Sequence, residues 1–213
     1  MHPGVEARGL GVGLDGQVLL APTSFDLEPG RALAVTGRNG AGKTTLLRVL
    51  AGLSRPTTGT ATIAGRSACD RSPEFRRTVA AHLGPPPFAR DLTLREHAVL
   101  VAASWGIDLP DAEERVDAVF AELGIGHLTA RFPHELSSGQ RQLFALVLTL
   151  VRPFAVLLAD EPEQRLDEQH RGLVAAALRR RRDRGTTIVL VSHSPVLVDA
   201  VADDIVALAA PPS

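Results

Sequence analysis

The stretch Thr36–Leu47, TGRNGAGKTTLL, holds three glycines, a lysine and three threonines between two segments of different character. Before it, RALAVTG (31–37) is almost continuously apolar and reads as a buried strand. After it, Leu46, Leu47, Leu50 and Leu53 recur at helical spacing. Gly37, Gly40, Gly42, Lys43 and Thr44 fit the pattern G-x-x-x-x-G-K-[ST]. The spacing has a physical reason. Glycines let the backbone curl through conformations that other residues resist, so that successive N–H groups point inward as a nest for phosphate. A helix starting at Lys43 adds the positive end of its dipole, Lys43 adds a point charge, and the Thr44 hydroxyl can ligate Mg²⁺.

The whole chain is consistent with one domain. Its 213 residues are 45% hydrophobic with a net charge of −1, so nothing global points to nucleic acid or to a membrane surface. The one cysteine, Cys69, suits a reducing compartment. The start MHPGVEARGL lacks the apolar core of a secretory signal. The best membrane-span candidate, LFALVLTLVRPFAVLLAD (143–160), is interrupted by Arg152 and Pro153. A soluble, cytoplasmic protein is the expectation.

Three regions follow one another. Val5 to about Gly65 has short alternating segments, with turn signals at Asp15-Gly16 and Pro29-Gly30. Residues from about 67 to 133 read as mainly helical, with candidates in LREHAVLVAASWG (94–106) and DAEERVDAVFAELG (111–124), the latter stopped by Gly124. GPPP (84–87) is a stiff break between them and the first region. From Glu135 helix and strand alternate, and strands apolar on both faces imply a parallel sheet covered on both sides. The expected fold is α/β: a core with a mainly parallel sheet (1–66 and 134–213), an antiparallel β region at its amino-terminal end, and a helical subdomain at about 67–133, in one domain over 1–213.

Three further stretches carry candidate chemistry. FAVLLADEP (154–162) ends an apolar strand on Asp160 and Glu161. Ligands in open α/β sheets bind beyond the carboxyl ends of strands, where an Asp can hold Mg²⁺ and a Glu can activate water. ELSSGQRQ (135–142) has Ser137 three residues before Gln140, a capping box that opens a helix and offers a second anion-ready helix start. VLVSHS (189–194) sets His193 after another buried strand. RRRRDRG (179–185) reads as a solvated helix end, since cations suit the carboxyl end of a helix dipole and Gly185 suits the cap.

In this order the four stretches resemble the nucleotide-binding subunits of ATP-binding cassette (ABC) transporters, a P-loop NTPase family, over nearly the whole chain. GRNGAGKTT (37–45) is similar to the family's Walker A, LSSGQ (136–140) to its LSGGQ signature, AVLLADE (155–161) to Walker B, EPEQRLD (161–167) to the D-loop and VSH (191–193) to the histidine switch. The resemblance implies that Gly37, Asn39, Gly40, Ala41, Gly42, Lys43, Thr44 and Thr45 bind ATP, and that Thr44 and Asp160 hold Mg²⁺. It also implies that Glu161 acts on the attacking water and His193 touches the γ-phosphate. Ser137, Ser138, Gly139 and Gln140 would meet the nucleotide held by the partner's Lys43, in a head-to-tail homodimer or in a heterodimer with another ABC ATPase. A separate transmembrane permease would dock near GPPPFARDL (84–92) and hold the chain on the inner face of the cell membrane; no nucleic-acid partner is implied. The chain departs from the family at three places. Leu14 stands where an aromatic residue stacks on adenine. Gly84 stands where the Q-loop glutamine belongs. Glu163, Gln164 and Arg165 replace small D-loop residues and would face a dimer interface. A slow or regulatory ATPase acting on a cytosolic partner is the alternative.

Overall fold

The computed structural model describes residues 4–69 and 72–210; the first residues of the amino-terminal stretch read above lie outside it. An antiparallel sheet is built from β1 (Val5–Leu14), β2 (Gln17–Leu27), β4 (Thr58–Ile63) and the short β5 (Arg66–Ser67), in the order β2-β1-β4-β5. The β1–β2 hairpin closes on Asp15 and Gly16, whose positive φ values of 49° and 79° give the turn its hand.

The second sheet is wholly parallel, with β6 (Val79–His82), β7 (Val156–Asp160), β8 (Thr187–Val191), β3 (Ala32–Thr36) and β9 (Asp204–Ala207) side by side in that order. Alternation of side chains splits this sheet between two cores. Leu33, Val35, Leu158, Val189 and Val191 pack with the antiparallel sheet and α1 (Lys43–Leu50). Leu157, Ala159, Ile188 and Leu190 pack with α5 (Ser138–Leu150), α6 (Glu168–Asp183) and α7 (Pro195–Val201). Burial on both faces is the reason these strands read as unbroken apolar runs.

The middle region differs from the sequence expectation. Helices α3 (Leu94–Ser104) and α4 (Leu109–Glu122) form there as expected, and Gly124 follows α4 with φ 72°. A further short helix, α2 (Pro73–Thr78), leads straight into β6, which pairs with β7 as the edge of the parallel sheet. Residues 79–82 thus belong to the core sheet and not to a helical unit. Four residues, VAAH, are too short to show a period, and only pairing with β7 makes them a strand. Strand β9 was likewise not anticipated. Leu53, counted above with the helical leucines, lies beyond α1 and is exposed.

The arginine run is not simply a solvated helix end. Arg180 and Arg181 both reach Glu122 on α4 at 2.8 Å, and Arg182 donates to the Val201 carbonyl at 2.8 Å. Arg180 and Arg181, with Arg115 and Arg184, border a cavity of about 500 Å³ between α4 and α6. Burial alone would push the Glu122 carboxyl up, but its bonds with Arg181 and Arg180 outweigh that and hold it below the ordinary value.

Candidate functional site

Every chemical group singled out in the parallel sheet stands at a strand's carboxyl end. The loop 37–42 follows β3, Asp160 ends β7, Glu161 follows it, and His193 follows β8, which lies between β7 and β3. Parallel strands place all these ends on one edge, so residues more than a hundred positions apart converge there. Thr44 Oγ1 donates to Asp160 Oδ2 at 2.6 Å.

The loop is shaped by close approach. Gly42, with φ 91°, sits at the amino-terminal end of α1, and a Cβ there would stand 2.4 Å from the Leu19 carbonyl oxygen. Only glycine lets the loop lie against β2 in this way. Lys43 is buried, and its Nζ donates to the carbonyls of Gly37 and Arg38 at 2.8 and 3.1 Å. The ammonium thus has partners within the loop that encircles it. A cavity of about 440 Å³ opens beside it, lined by Asn39, Gly40, Gly42, Lys43, Thr44 and Thr45 together with Glu161, Val18 and Leu19. Gly37 and the buried Ala41 shape the loop behind this lining.

Val18 and Leu19 escaped the sequence reading, which pointed to Leu14. Leu14 is 61% exposed at the end of the hairpin and does not line the cavity. The hairpin register, Leu14 opposite Gln17, carries the chain past the turn before it reaches the loop, and register is a property of pairing that no single residue announces.

Asp160 and Glu161 occupy different settings. Burial pushes the Asp160 carboxyl up, the Thr44 hydroxyl bond pulls it down and the neighbouring Glu161 pushes it up again, with a net rise. The hydroxyl and the carboxylate are hard oxygen donors close together, the set a magnesium-type cation takes, and a cation beside Asp160 would offset the cost of its buried charge. Among the described residues no group of three or more His, Cys, Asp or Glu is placed to hold a metal ion. Glu161 is partly exposed and carries a left-handed backbone, φ 44°. Its carboxylate accepts from Gln164 Nε2 at 2.8 Å and stands 3.5 Å from His193 Nε2.

The three D-loop residues occupy different settings. Glu163 is buried and turned inward, where it accepts a hydrogen bond from the Ser192 hydroxyl. Gln164 and Arg165 are both exposed; Gln164 donates to the Glu161 carboxylate, and Arg165 has a φ of 65°.

The signature segment stands apart. Ser137 caps α5: its Oγ accepts from Gln140 N–H at 3.2 Å, and Gln140 Oε1 accepts from Ser137 N–H at 3.0 Å. A Cβ on Gly139 would lie 2.7 Å from the Arg165 carbonyl oxygen, so this glycine lets the D-loop rest on the helix start. None of Ser137, Ser138, Gly139 or Gln140 lines the cavity beside Lys43; Ser138 instead borders a groove with Pro85, Pro86, Pro87 and Arg165. No helix among the described residues is long and apolar enough to cross a membrane.

Comparison with known proteins agrees with this arrangement. Residues 20–164 match the family model described as ABC transporter. A protein of Brucella suis biovar 1 named as an ABC transporter ATP-binding protein is 33% identical over 212 residues, 98% of this chain and 87% of that one. A methionine import ATP-binding protein of Corynebacterium diphtheriae is 33% identical over 88% of this chain, which spans only 56% of that relative's length. Among solved structures, an ATP-binding subunit of an ABC transporter superposes with a TM-score of 0.85 at 28% identity, over 96% of this chain and 85% of the other.

Proposed function

From the premise that this chain belongs to the ABC transporter family as an ATP-binding subunit, we propose that it hydrolyses ATP between two cassettes and drives a separate membrane permease. The observation that carries the reading is the separation of its two anion-ready helix starts. The Lys43 cavity has no contribution from Ser137–Gln140, whose helix start faces outward with its own capping complete. A triphosphate in the cavity therefore leaves one side open to a second molecule, and the exposed helix start is the complementary surface for it.

The residues act as follows. Loop N–H groups from Gly40 to Thr45 and the Lys43 ammonium hold the phosphates, with Lys43 exchanging its carbonyl partners for phosphate oxygens. Thr44 and Asp160 would hold Mg²⁺, which would supply positive charge to offset that of the phosphates. Glu161 takes a proton from the attacking water, oriented by Gln164 and His193 on either side of its carboxylate. Val18 and Leu19 give the base an apolar wall in place of an aromatic stack. ATP contacts both cassettes only when they close, so binding favours the closed dimer and hydrolysis releases it. The permease would hold the chain at the inner face of the membrane, and its direction of transport is set by that partner.

The test is ATP turnover and sedimentation of the purified chain, with and without membranes from which a polytopic protein can be captured. Glu161→Gln should bind ATP normally and accumulate as a dimer with Mg²⁺ and ATP. A monomer under those conditions, with the membrane partner and any sister cassette present, overturns the reading.

A further inference from the structure

The family reading leaves unexplained a buried polar group inside the signature helix. Gln142 lies on α5 five residues after the Ser137 cap, is 6% exposed, and projects toward the parallel sheet. Its Nε2 is 3.1 Å from the carbonyl oxygen of Glu161 and 3.1 Å from Nε2 of His82, the last residue of β6. An amide nitrogen has two protons, and these two acceptors use both. We infer that Gln142 is a positioning residue: it ties the signature helix to the backbone of the water-activating Glu161, with His82 fixing the orientation of its amide. The inference rests on the role given to Glu161 above.

Three observations support it. First, the Glu161 backbone is held in a costly conformation. A φ of 44° at a non-glycine residue is strained and persists where its surroundings over-determine it. Those surroundings are visible: Glu161 N–H donates to Val191 O at 2.8 Å, and its carbonyl accepts from Gln164 N–H at 3.0 Å as well as from Gln142. Gln142 is the member of this set that comes from a helix outside the turn, so it links the turn to another element.

Second, His82 is suited to accept from the amide. It is 1% exposed, and burial pushes it down to about 4, so the ring is neutral. With Nε2 as acceptor the ring proton sits on Nδ1. Third, the link joins two places that the proposed cycle must join. A second cassette's nucleotide meets the start of α5, and roughly 7–8 Å along the same helix, at about 1.5 Å per residue, Gln142 holds the turn that aims this chain's own carboxylate. Gly84, where the family's glutamine would stand, offers no side chain for such a link from the loop after β6.

The experiment is a double-mutant cycle on ATP turnover by the purified chain. Gln142→Met keeps the length and loses both donors. It should lower kcat about 10- to 100-fold, as for a misplacement of about 1 Å, while leaving the KM for ATP and ATP affinity within about twofold. In a Glu161→Gln background, adding Gln142→Met should lower the residual turnover no further, since the residue acts through Glu161. Equal factors in both backgrounds, or an unchanged kcat in the single variant, overturn the inference. If Gln142→Met fails to fold, the pair His82→Gln and His82→Leu decides: the first retains an acceptor and should keep kcat within about twofold, the second should lose about tenfold. Equal turnover in those two variants overturns it as well. Should Glu161→Gln itself turn over like the unmodified chain, the functional reading fails first, so the two failures are distinct.

Discussion

The Lys43 loop and the signature helix start are both anion-ready, yet they wait for a ligand in opposite ways. In the loop, charge is held by substitutes: Lys43 leans on two carbonyls of its own turn, Thr44 donates to Asp160, and Glu161 sits in a left-handed turn. Each contact occupies a group that a bound nucleotide and its ion would claim. At the signature, Ser137 and Gln140 satisfy each other and the helix is complete without any ligand. The difference teaches where the work of binding is done. On the proposed function the loop exchanges its partners for those of the nucleotide, so its chemistry is conditional on occupancy. The signature is a finished surface, so its contribution depends on what approaches it.

The largest expected effect separates chemistry from binding within the loop site. Glu161→Gln removes the general base of the proposed function and should reduce turnover about 10²- to 10⁴-fold with ATP affinity unchanged, read by steady-state kinetics and calorimetric titration. If affinity falls with turnover, Glu161 belongs to the binding loop and the contrast loses its meaning. Next, Lys43→Ala should weaken ATP binding by about 10- to 100-fold, the worth of a charged hydrogen bond in a buried setting. Its partners in the absence of ligand are loop carbonyls, so a nucleotide titration is the measurement that tells the exchange from a merely structural lysine.

The signature side should respond through stability and contact instead. Gly139→Ala drives a methyl toward the Arg165 carbonyl and should cost about 1–3 kcal/mol in chemical denaturation. Ser137→Ala, which removes the cap, should cost about 1 kcal/mol. Both should leave ATP affinity of the isolated chain within about twofold, because neither residue lines the Lys43 cavity. A large loss of affinity in either would erase the distinction between the two places.

The smallest effect lies far from both sites and serves as the control. Glu122 has its acid strength increased in the folded chain by Arg181 and Arg180, despite its burial. A group with a lowered folded value contributes stability that is present above its ordinary value of 4.5 and is lost as pH falls through the folded value. Glu122→Gln should therefore cost at most about 1 kcal/mol at neutral pH and should blunt the loss of stability below about pH 4.5, followed by thermal melts across pH. Catalysis should not change with it.

How much of this was written in the sequence varies by element. β3, β7 and β8 were legible because burial on both faces leaves continuous apolar runs, and α4 because Val116, Val119 and Phe120 mark one face. The hairpin at Asp15-Gly16 and the cap at Ser137 were legible because each depends on residues within four positions. β6 and β9 were not, since four residues show no period and their strand state comes from β7 and β3 alongside. The inward turn of Glu163 toward Ser192 was equally hidden, because the two are brought together by the pairing of β7 with β8.

Sequence by itself determined the phosphate loop, the strands β3, β7 and β8 with the helices between them, and the presence of two carboxylates at a strand end. These are local: a glycine's freedom, a helix period and a cap act over a few residues. Tertiary structure alone decided that Val18 and Leu19, not Leu14, wall the cavity. It alone brought His82 and Gln142 to the back of Glu161, 60 positions separating the first two. The physical reason is that a parallel sheet collects the carboxyl ends of distant strands on one edge, and a side chain's partner there is chosen by register and packing, which the chain specifies only when all of it has folded.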